Sequence, residues 1–378
     1  MTGPGAAEHA PGAVGNRREV VVVGAGQAGL AIGYFLKQLG RDFTILEAGD
    51  APAAAWRARW DSLRLFTPVK YDSLPGGAFP GDPDSYPGRD DVVAYLTDYA
   101  TAFELPLELD SAVRGVRRAD EGGYVVELDD RTYAAEQVVI ATGPFQVPRV
   151  PPIAHPLDPS VVQCHSTAYR RPDQVPAGGP VLVAGGGNTG FQIAEELART
   201  HEVHLSIGSR QTPLPQRIAG RDLFDYLQAI GLMRVTVDSR LAQRLRYRDT
   251  LIGSSPRAAR GRGIRLRGRT ADAQGSEVVF ADGTRLAPAA VIWATGFAVD
   301  HSFVRVPVFD DAARLMHRRG VTCAPGLYFL GLTWQHTRGS ALLGWVKDDA
   351  RFIAQRIAEL AQRPGARAPV AQQQPVAR

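Results

Sequence analysis

The chain has 378 residues, 44% of them hydrophobic, and a formal net charge of +4. That length supports a large core shared between two or more domains, and so small a charge gives no ground for a nucleic acid partner. Its two cysteines, Cys164 and Cys323, are too far apart for a C-x-x-C redox pair and fit a reducing compartment; with no signal peptide or membrane span in view, a cytoplasmic protein without integral membrane association is expected.

Residues 1–16 are rich in Gly, Ala and Pro and residues 363–378 in Ala, Gln and Pro, so both ends are predicted to be disordered tails. The first regular element is a strand over 20–23, which runs into Gly24, Gly26 and Gly29 and then a helix over 28–38 that stops at Gly40. In such a loop the first glycine permits the tight turn, the second lets backbone approach a pyrophosphate, and the third lets helix pack on strand. A strand over 43–46 then delivers Glu47, twenty-three positions beyond Gly24, where a carboxylate accepts hydrogen bonds from a ribose. Gly24, Gly26, Gln27, Ala28, Gly29, Glu47 and Ala48 are therefore read as an FAD site. A hairpin of 124–128 and 132–133 follows, then a strand over 138–140 that ends in Ala141, Thr142 and Gly143.

The same order then repeats. A strand over 181–183 leads into Gly185, Gly187, Asn188, Thr189 and Gly190, but the step of twenty-three from Gly185 lands on Gly208, followed by Ser209 and Arg210. No carboxylate stands there. A carboxylate repels a 2′-phosphate, whereas Gly-Ser-Arg offers a hydroxyl and a guanidinium fork, so the second site is read as NADPH; the alternative is a solvated arginine. The arginine-rich stretch 240–269 lacks interleaved aromatic residues beyond Tyr247 and reads as a solvated loop and helix face. A second hairpin, 277–281 with 284–286, precedes a strand over 291–293 and the triplet Ala294, Thr295 and Gly296. Residues 326–331 and a closing helix over 347–360 should return to the first unit. The fold class is thus α/β, with two Rossmann-type dinucleotide-binding domains in a glutathione-reductase-like arrangement. The FAD domain spans 17–170 and 297–362, with the NADPH domain, 171–296, inserted into it.

Taken together, the Gly24 to Gly29 loop, the stretch 60–68, the two Ala-Thr-Gly triplets, residues 165–169, the Gly185 to Gly190 loop and residues 336–340 resemble the flavin-containing monooxygenase family, in its YUCCA-like and CzcO-like branch. The resemblance covers about residues 18–360. It implies that NADPH reduces FAD, that O2 adds to give a C4a-hydroperoxyflavin, and that retained NADP+ shields it until one oxygen atom passes to a small organic substrate. It places Trp56, Arg64, Thr67, Gln335, Thr337 and Arg338 near the isoalloxazine ring. Thr67, Arg64, Gln335 and Arg338 are the catalytic candidates, and Trp56, Val113 and Thr337 join the cofactor-binding set. The oxidant is the cofactor itself, so neither a metal nor a nucleophile triad is needed.

The chain also departs from the family pattern. Of the fingerprint expected over 159–169 only His165 and Tyr169 remain, with Pro159 and Val161 in place of Phe and Gly; the Gly-Gly-x-Trp turn becomes Ala54-Ala55-Trp56; and Thr67 stands where many members have Asn. His165 reads better as a structural histidine near the interdomain linker than as a catalytic one, and Trp56 and Trp334 fit core or rim packing equally well. The choice among N- or S-oxygenation, Baeyer-Villiger insertion and 2-oxo-acid decarboxylation stays open, as does the oligomeric state, a dimer included. The alternative activity is an NADPH-dependent reductase that passes electrons to a quinone or a protein.

Overall fold

The computed structural model describes residues 16–246 and 250–362. The expected tails fall outside these residues, apart from Asn16, which opens the first strand.

The centre of the molecule is β1 (Asn16–Val23), whose four valines, Val20 to Val23, are buried on both faces as a central parallel strand requires. Successive side chains point to opposite faces, so Val20 and Val22 enter one core and Val21 and Val23 the other. On the first face lies α1 (Gln27–Gln38), with Leu30, Ile32 and Leu36 buried, packed against the closing helix Val346–Ala361 through Ile353 and Ile357. Gly33 permits the close approach of α1 to the sheet, since a Cβ there would stand 2.8 Å from Ile45 Cδ1. On the second face lies the meander of β4 (Gly115–Arg118) and β5 (Tyr124–Glu127), which contributes Val116, Tyr124 and Val126.

β1 pairs in parallel with β2 (Phe43–Leu46) on one side and β6 (Thr132–Ile140) on the other; β3 (Leu107–Glu108) extends the sheet past β2, and the returning strand Leu327–Phe329 extends it past β6. The strand and hairpin arm expected at 138–140 and 132–133 are in fact one nine-residue strand. Its first half pairs antiparallel with β5 and most of its length parallel with β1, a double role set by distant partners that local patterning cannot show.

A second, five-stranded sheet is wholly parallel, with Val181–Ala184 at its centre, Val203–Ser206 and Arg265–Arg267 on one side, and Ala290–Trp293 and Val162–His165 on the other. The edge strand Val162–His165 precedes residue 171, where the insertion was expected to begin, yet it pairs with Ala290–Trp293. The expected hairpin of 277–281 and 284–286 is present as the antiparallel pair Glu277–Phe280 and Arg285–Leu286, with a third strand, Thr270–Gln274, that the sequence did not announce.

Between Val203–Ser206 and Arg265–Arg267 the chain leaves this sheet and packs against the first unit. Phe224 stacks on Phe66 with ring centroids 6.0 Å apart, Val237 N–H donates to the His336 carbonyl at 2.8 Å, and Tyr71 Oη donates to Asp225 at 2.7 Å. Among the described residues no helix is long and apolar enough to cross a membrane.

Candidate active site

The two glycine loops are built alike. Gly24 has φ +105° and Gly185 φ +138°, backbone that favours glycine, and a Cβ on either would collide with the carbonyl oxygen of the alanine that opens the matching Ala-Thr-Gly triplet, Ala141 or Ala294. A Cβ on Gly29 would overlap the Gly24 carbonyl oxygen, and one on Gly190 that of Gly185. By contrast, a Cβ on Gly26 or Gly187 would meet nothing within 4 Å. Those two glycines are the N-caps of α1 and of α4 (Asn188–Leu197), and neither helix has a side-chain cap or an acid in its first turn. Each loop therefore presents free N–H groups and a positive helix end to open space, which suits a pyrophosphate.

What lies beside each loop differs. Glu47 Oε2 accepts the Ala25 N–H at 2.7 Å and Oε1 that of Gly49 at 3.1 Å, which holds the carboxylate at the end of β2. Ala48 and Ala112 border a polar pocket with Asp110, Arg114 and residues 128–130, next to Glu47, while Val113 packs against the core that holds Val116 and Val126. At the second loop the neighbour is the neutral amide of Gln211, which a Cβ on Gly186 would approach to 3.0 Å and whose nitrogen donates to Ser209 Oγ at 3.1 Å. Ser209 and Arg210 are exposed, and Arg269 Nη2 donates to the Gly208 carbonyl at 3.1 Å. The sequence pointed to Arg210 and missed Arg269, which arrives from the far end of the neighbouring strand. Arg217 is engaged elsewhere, on Tyr86 Oη at 3.1 Å and the Asp84 carbonyl at 2.7 Å. At N1 of α4, Asn188 bonds the backbone of Thr250 and Ile252, which ties the loop to the strand Thr250–Ile252, and Thr189 follows it on the helix.

The segment 54–72 joins the two loops. Trp56, in the short helix α2 (Ala54–Arg57), donates Nε1–H to Gln27 Oε1 at 2.9 Å, and Gln27 donates onward to the Ala341 carbonyl at 2.8 Å. Eight residues on, the backbone of Arg64 is clamped by Gln192 of α4, which accepts its N–H at 3.2 Å and donates to its carbonyl at 2.9 Å. The Arg64 side chain itself is exposed and donates to the Tyr86 carbonyl. Trp56→Phe is expected to remove one bond on Gln27, loosening the first loop by about 1 kcal/mol and weakening FAD roughly fivefold, as a fluorescence titration of apoprotein with FAD would show.

Thr67 is 4% exposed and donates to Asp72 Oδ1 at 2.6 Å. Arg338 is half-buried and follows Thr337, whose Oγ1 accepts the Gly339 N–H at 3.2 Å; burial lowers the guanidinium pKa of Arg338, and among the described residues no carboxylate pairs with it to offset the cost. Such a cation suits a ligand that carries negative charge. Gln335 is turned into the protein: Oε1 accepts the Leu332 N–H at 3.2 Å, and Nε2 is enclosed against Gly320 without a partner. The two Ala-Thr-Gly triplets lie at the strand ends, where Thr142 Oγ1 accepts from Gln146 at 2.8 Å, Thr295 Oγ1 donates to the Arg149 carbonyl, and Gly143 and Gly296 take φ +70° and +83°. His165 accepts the Thr167 N–H on Nδ1 at 3.2 Å, so its proton sits on Nε2, 3.0 Å from the Gly296 carbonyl. Burial, then the charge of Arg59, lowers its pKa, and this neutral ring joins the second sheet to the linker as a structural part.

Both cysteines are free, Cys164 on the strand Val162–His165 and Cys323 exposed after the strand Val321–Thr322, so neither sits at a glycine loop. The sequence model of the pyridine nucleotide-disulphide oxidoreductase family matches residues 21–217. A CzcO-like oxidoreductase of Geobacillus kaustophilus is 43% identical over 338 residues, 89% of this chain and 97% of its own length. The indole-3-pyruvate monooxygenase YUCCA1 of Oryza sativa subsp. japonica is 34% identical over 215 residues, about half of each chain (56% and 52%). Among solved structures, the flavin-containing monooxygenase of Stenotrophomonas maltophilia superposes with a TM-score of 0.76 at 28% identity, over 92% of this chain and 99% of that one. With this kinship over nearly its full described length, the chain belongs to the flavin monooxygenase family, as a flavoprotein oxidoreductase.

Proposed function

We propose that the protein is an FAD- and NADPH-dependent monooxygenase that transfers one atom of O2 to a small organic substrate. The observation that carries this reading is the segment 54–72, bonded to the first loop through Trp56 and Gln27 and to the helix of the second through Arg64 and Gln192. One rigid strap thereby fixes the two dinucleotide sites relative to each other, which hydride transfer between them requires. Residues 17–170 and 297–362 hold FAD, and the insertion 171–296 holds NADPH, with the strand Val162–His165 adding an edge to its sheet.

The open face of Gly26 and the free N–H groups of α1 take the FAD pyrophosphate, Glu47 its ribose and the pocket at Ala48 its adenine. Gly187 and α4 take the NADPH pyrophosphate, and Ser209, Arg210 and Arg269 its 2′-phosphate. When bound, FAD would supply the redox chemistry between NADPH and O2. Around it Arg338 provides a fixed positive charge, and the buried cluster of Leu223, Phe224, Leu227, Met233 and Trp345, with Phe66 and Tyr71 at its margin, keeps water out. Arg64 acts through its backbone, which Gln192 clamps, and Gln335 through the Leu332 N–H that its side chain accepts.

The test is product analysis under 18O2 with panels of amines, sulfides, ketones and 2-oxo acids. One labelled oxygen atom per product, with NADPH consumed in step, is the expected result. NADPH oxidation that yields only hydrogen peroxide with every panel, and is fast with a quinone, would turn the reading to a reductase.

A further inference from the structure

Asp72 is 0% exposed, and its two carboxyl oxygens are unequal: Oδ1 accepts the Thr67 hydroxyl at 2.6 Å, while Oδ2 is enclosed and has no partner. A buried carboxylate is normally paired with a cation or ringed by donors. Here the acid facing it from the inserted segment is Asp222, itself 3% exposed. The group facing it from α3 (Arg89–Ala102) is the Tyr95 phenol, which accepts the Leu74 N–H at 2.7 Å and donates to the Gly77 carbonyl at 2.8 Å. Lys347, from the closing helix, is bound to the Ser73 carbonyl at 3.1 Å, and Lys70 and Tyr71 are held by Asp225. Apart from the Thr67 hydroxyl, nothing on these elements donates to Asp72.

We propose that Asp72 is a proton-carrying positioning residue that sets the direction of the Thr67 hydroxyl at the active site. The inference rests on the reading, made above, that Thr67 faces the flavin. A hydroxyl has one proton to give. While Asp72 is ionised, that proton is committed to Oδ1 and Thr67 can only accept from the cofactor side. When Asp72 takes up a proton, Oδ1 is where it finds an acceptor, Thr67 Oγ1; the hydrogen bond reverses, and the Thr67 proton is released to point at the cofactor. No covalent bond is made or broken beyond protonation of the carboxyl by solvent. Burial first, and then the charge of Asp222 against the opposing Thr67 bond, raises the Asp72 pKa to about 7, so the reversal falls in the neutral range.

The experiment compares the wild type with Asp72→Asn and Thr67→Val, as holoprotein and after FAD removal. In infrared difference spectra, a protonated-carboxyl C=O band present at about pH 6, lost at about pH 8 and absent from Asp72→Asn is expected. The unfolded carboxyl releases its proton near 3.8 and the folded one near 7, so the folded state binds more protons between those values. Stability should therefore fall as pH rises through that window, and Asp72→Asn should flatten the fall in the urea midpoint. The visible spectrum of bound FAD should shift across the same window in the wild type and stay still in both variants. Absence of the band from about pH 5 to 9, or a flavin shift that persists in Thr67→Val, would overturn the proposal. Either result leaves the labelled-oxygen test of the overall function untouched. If Asp72→Asn fails to fold, Thr67→Val carries the spectral comparison alone.

Discussion

Replacing Gly26 with valine is expected to give a folded protein that purifies colourless, with FAD affinity lowered about 100-fold or more, near 3 kcal/mol. The ground for expecting both effects at once is the open space at this position, where a Cβ meets no protein atom within 4 Å. Gly26 has φ −78° and ψ −173°, extended backbone that any residue adopts, so valine causes no strain there. The side chain then fills the volume above the α1 N-terminus that the pyrophosphate needs. Gly29→Ala is the counter-example three residues on. Its Cβ would overlap the Gly24 carbonyl oxygen, a backbone atom that cannot turn aside, so helix and strand must part. That variant should lose FAD and also stability, by about 3 kcal/mol or more. Urea denaturation of the two apoproteins separates the cases. A Gly26→Val protein that retains stoichiometric FAD would remove the pyrophosphate from the first loop.

The contrast shows which parts of the molecule a sequence makes legible. β1, α1, β2 and Glu47 were placed by spacing because everything that sets them lies between Asn16 and Glu47, and the second loop followed by repetition. The third element of that loop was harder. The absence of a carboxylate after Gly185 was readable, but Arg269 beside Gly208 depends on how the chain returns from an excursion of more than fifty residues. Nothing in the sequence singled out Asp72, and only the packing of the segment 222–227 over residues 66–72 shows it to be sealed. The resemblance offered Gln335 as a catalytic candidate, and only the fold shows that its amide is closed in by Leu332 and Gly320. In each case the missing information was a long-range partner, which neither periodicity nor residue type encodes.

Arg269 gives the second large effect. Its guanidinium lies against the Gly208 carbonyl, next to Ser209 and Arg210, where the spacing from Gly185 puts the adenosine ribose. Two forks of donors around one 2′-phosphate form charge-assisted bonds, each worth about 1.5–3 kcal/mol. Arg210→Ala and Arg269→Ala should thus each weaken NADPH by roughly tenfold to hundredfold. NADH, which lacks the phosphate, should be affected little. If both arginines serve the same group, as proposed, the double variant should lose more than the product of the single losses, because the survivor in each single variant is free to swing toward the phosphate and offset part of the loss. Both side chains are exposed, so the preference for NADPH should also shrink as salt is raised. Arg217→Ala, by contrast, breaks contacts with Tyr86 and Asp84 and should leave the ratio of NADPH to NADH unchanged. Steady-state KM values for both cofactors in the three variants decide the matter: equal weakening of NADH and NADPH by Arg269→Ala would make that residue a support for the Gly208 turn, and a change of ratio confined to Arg217→Ala would move the phosphate to the other side of the inserted segment.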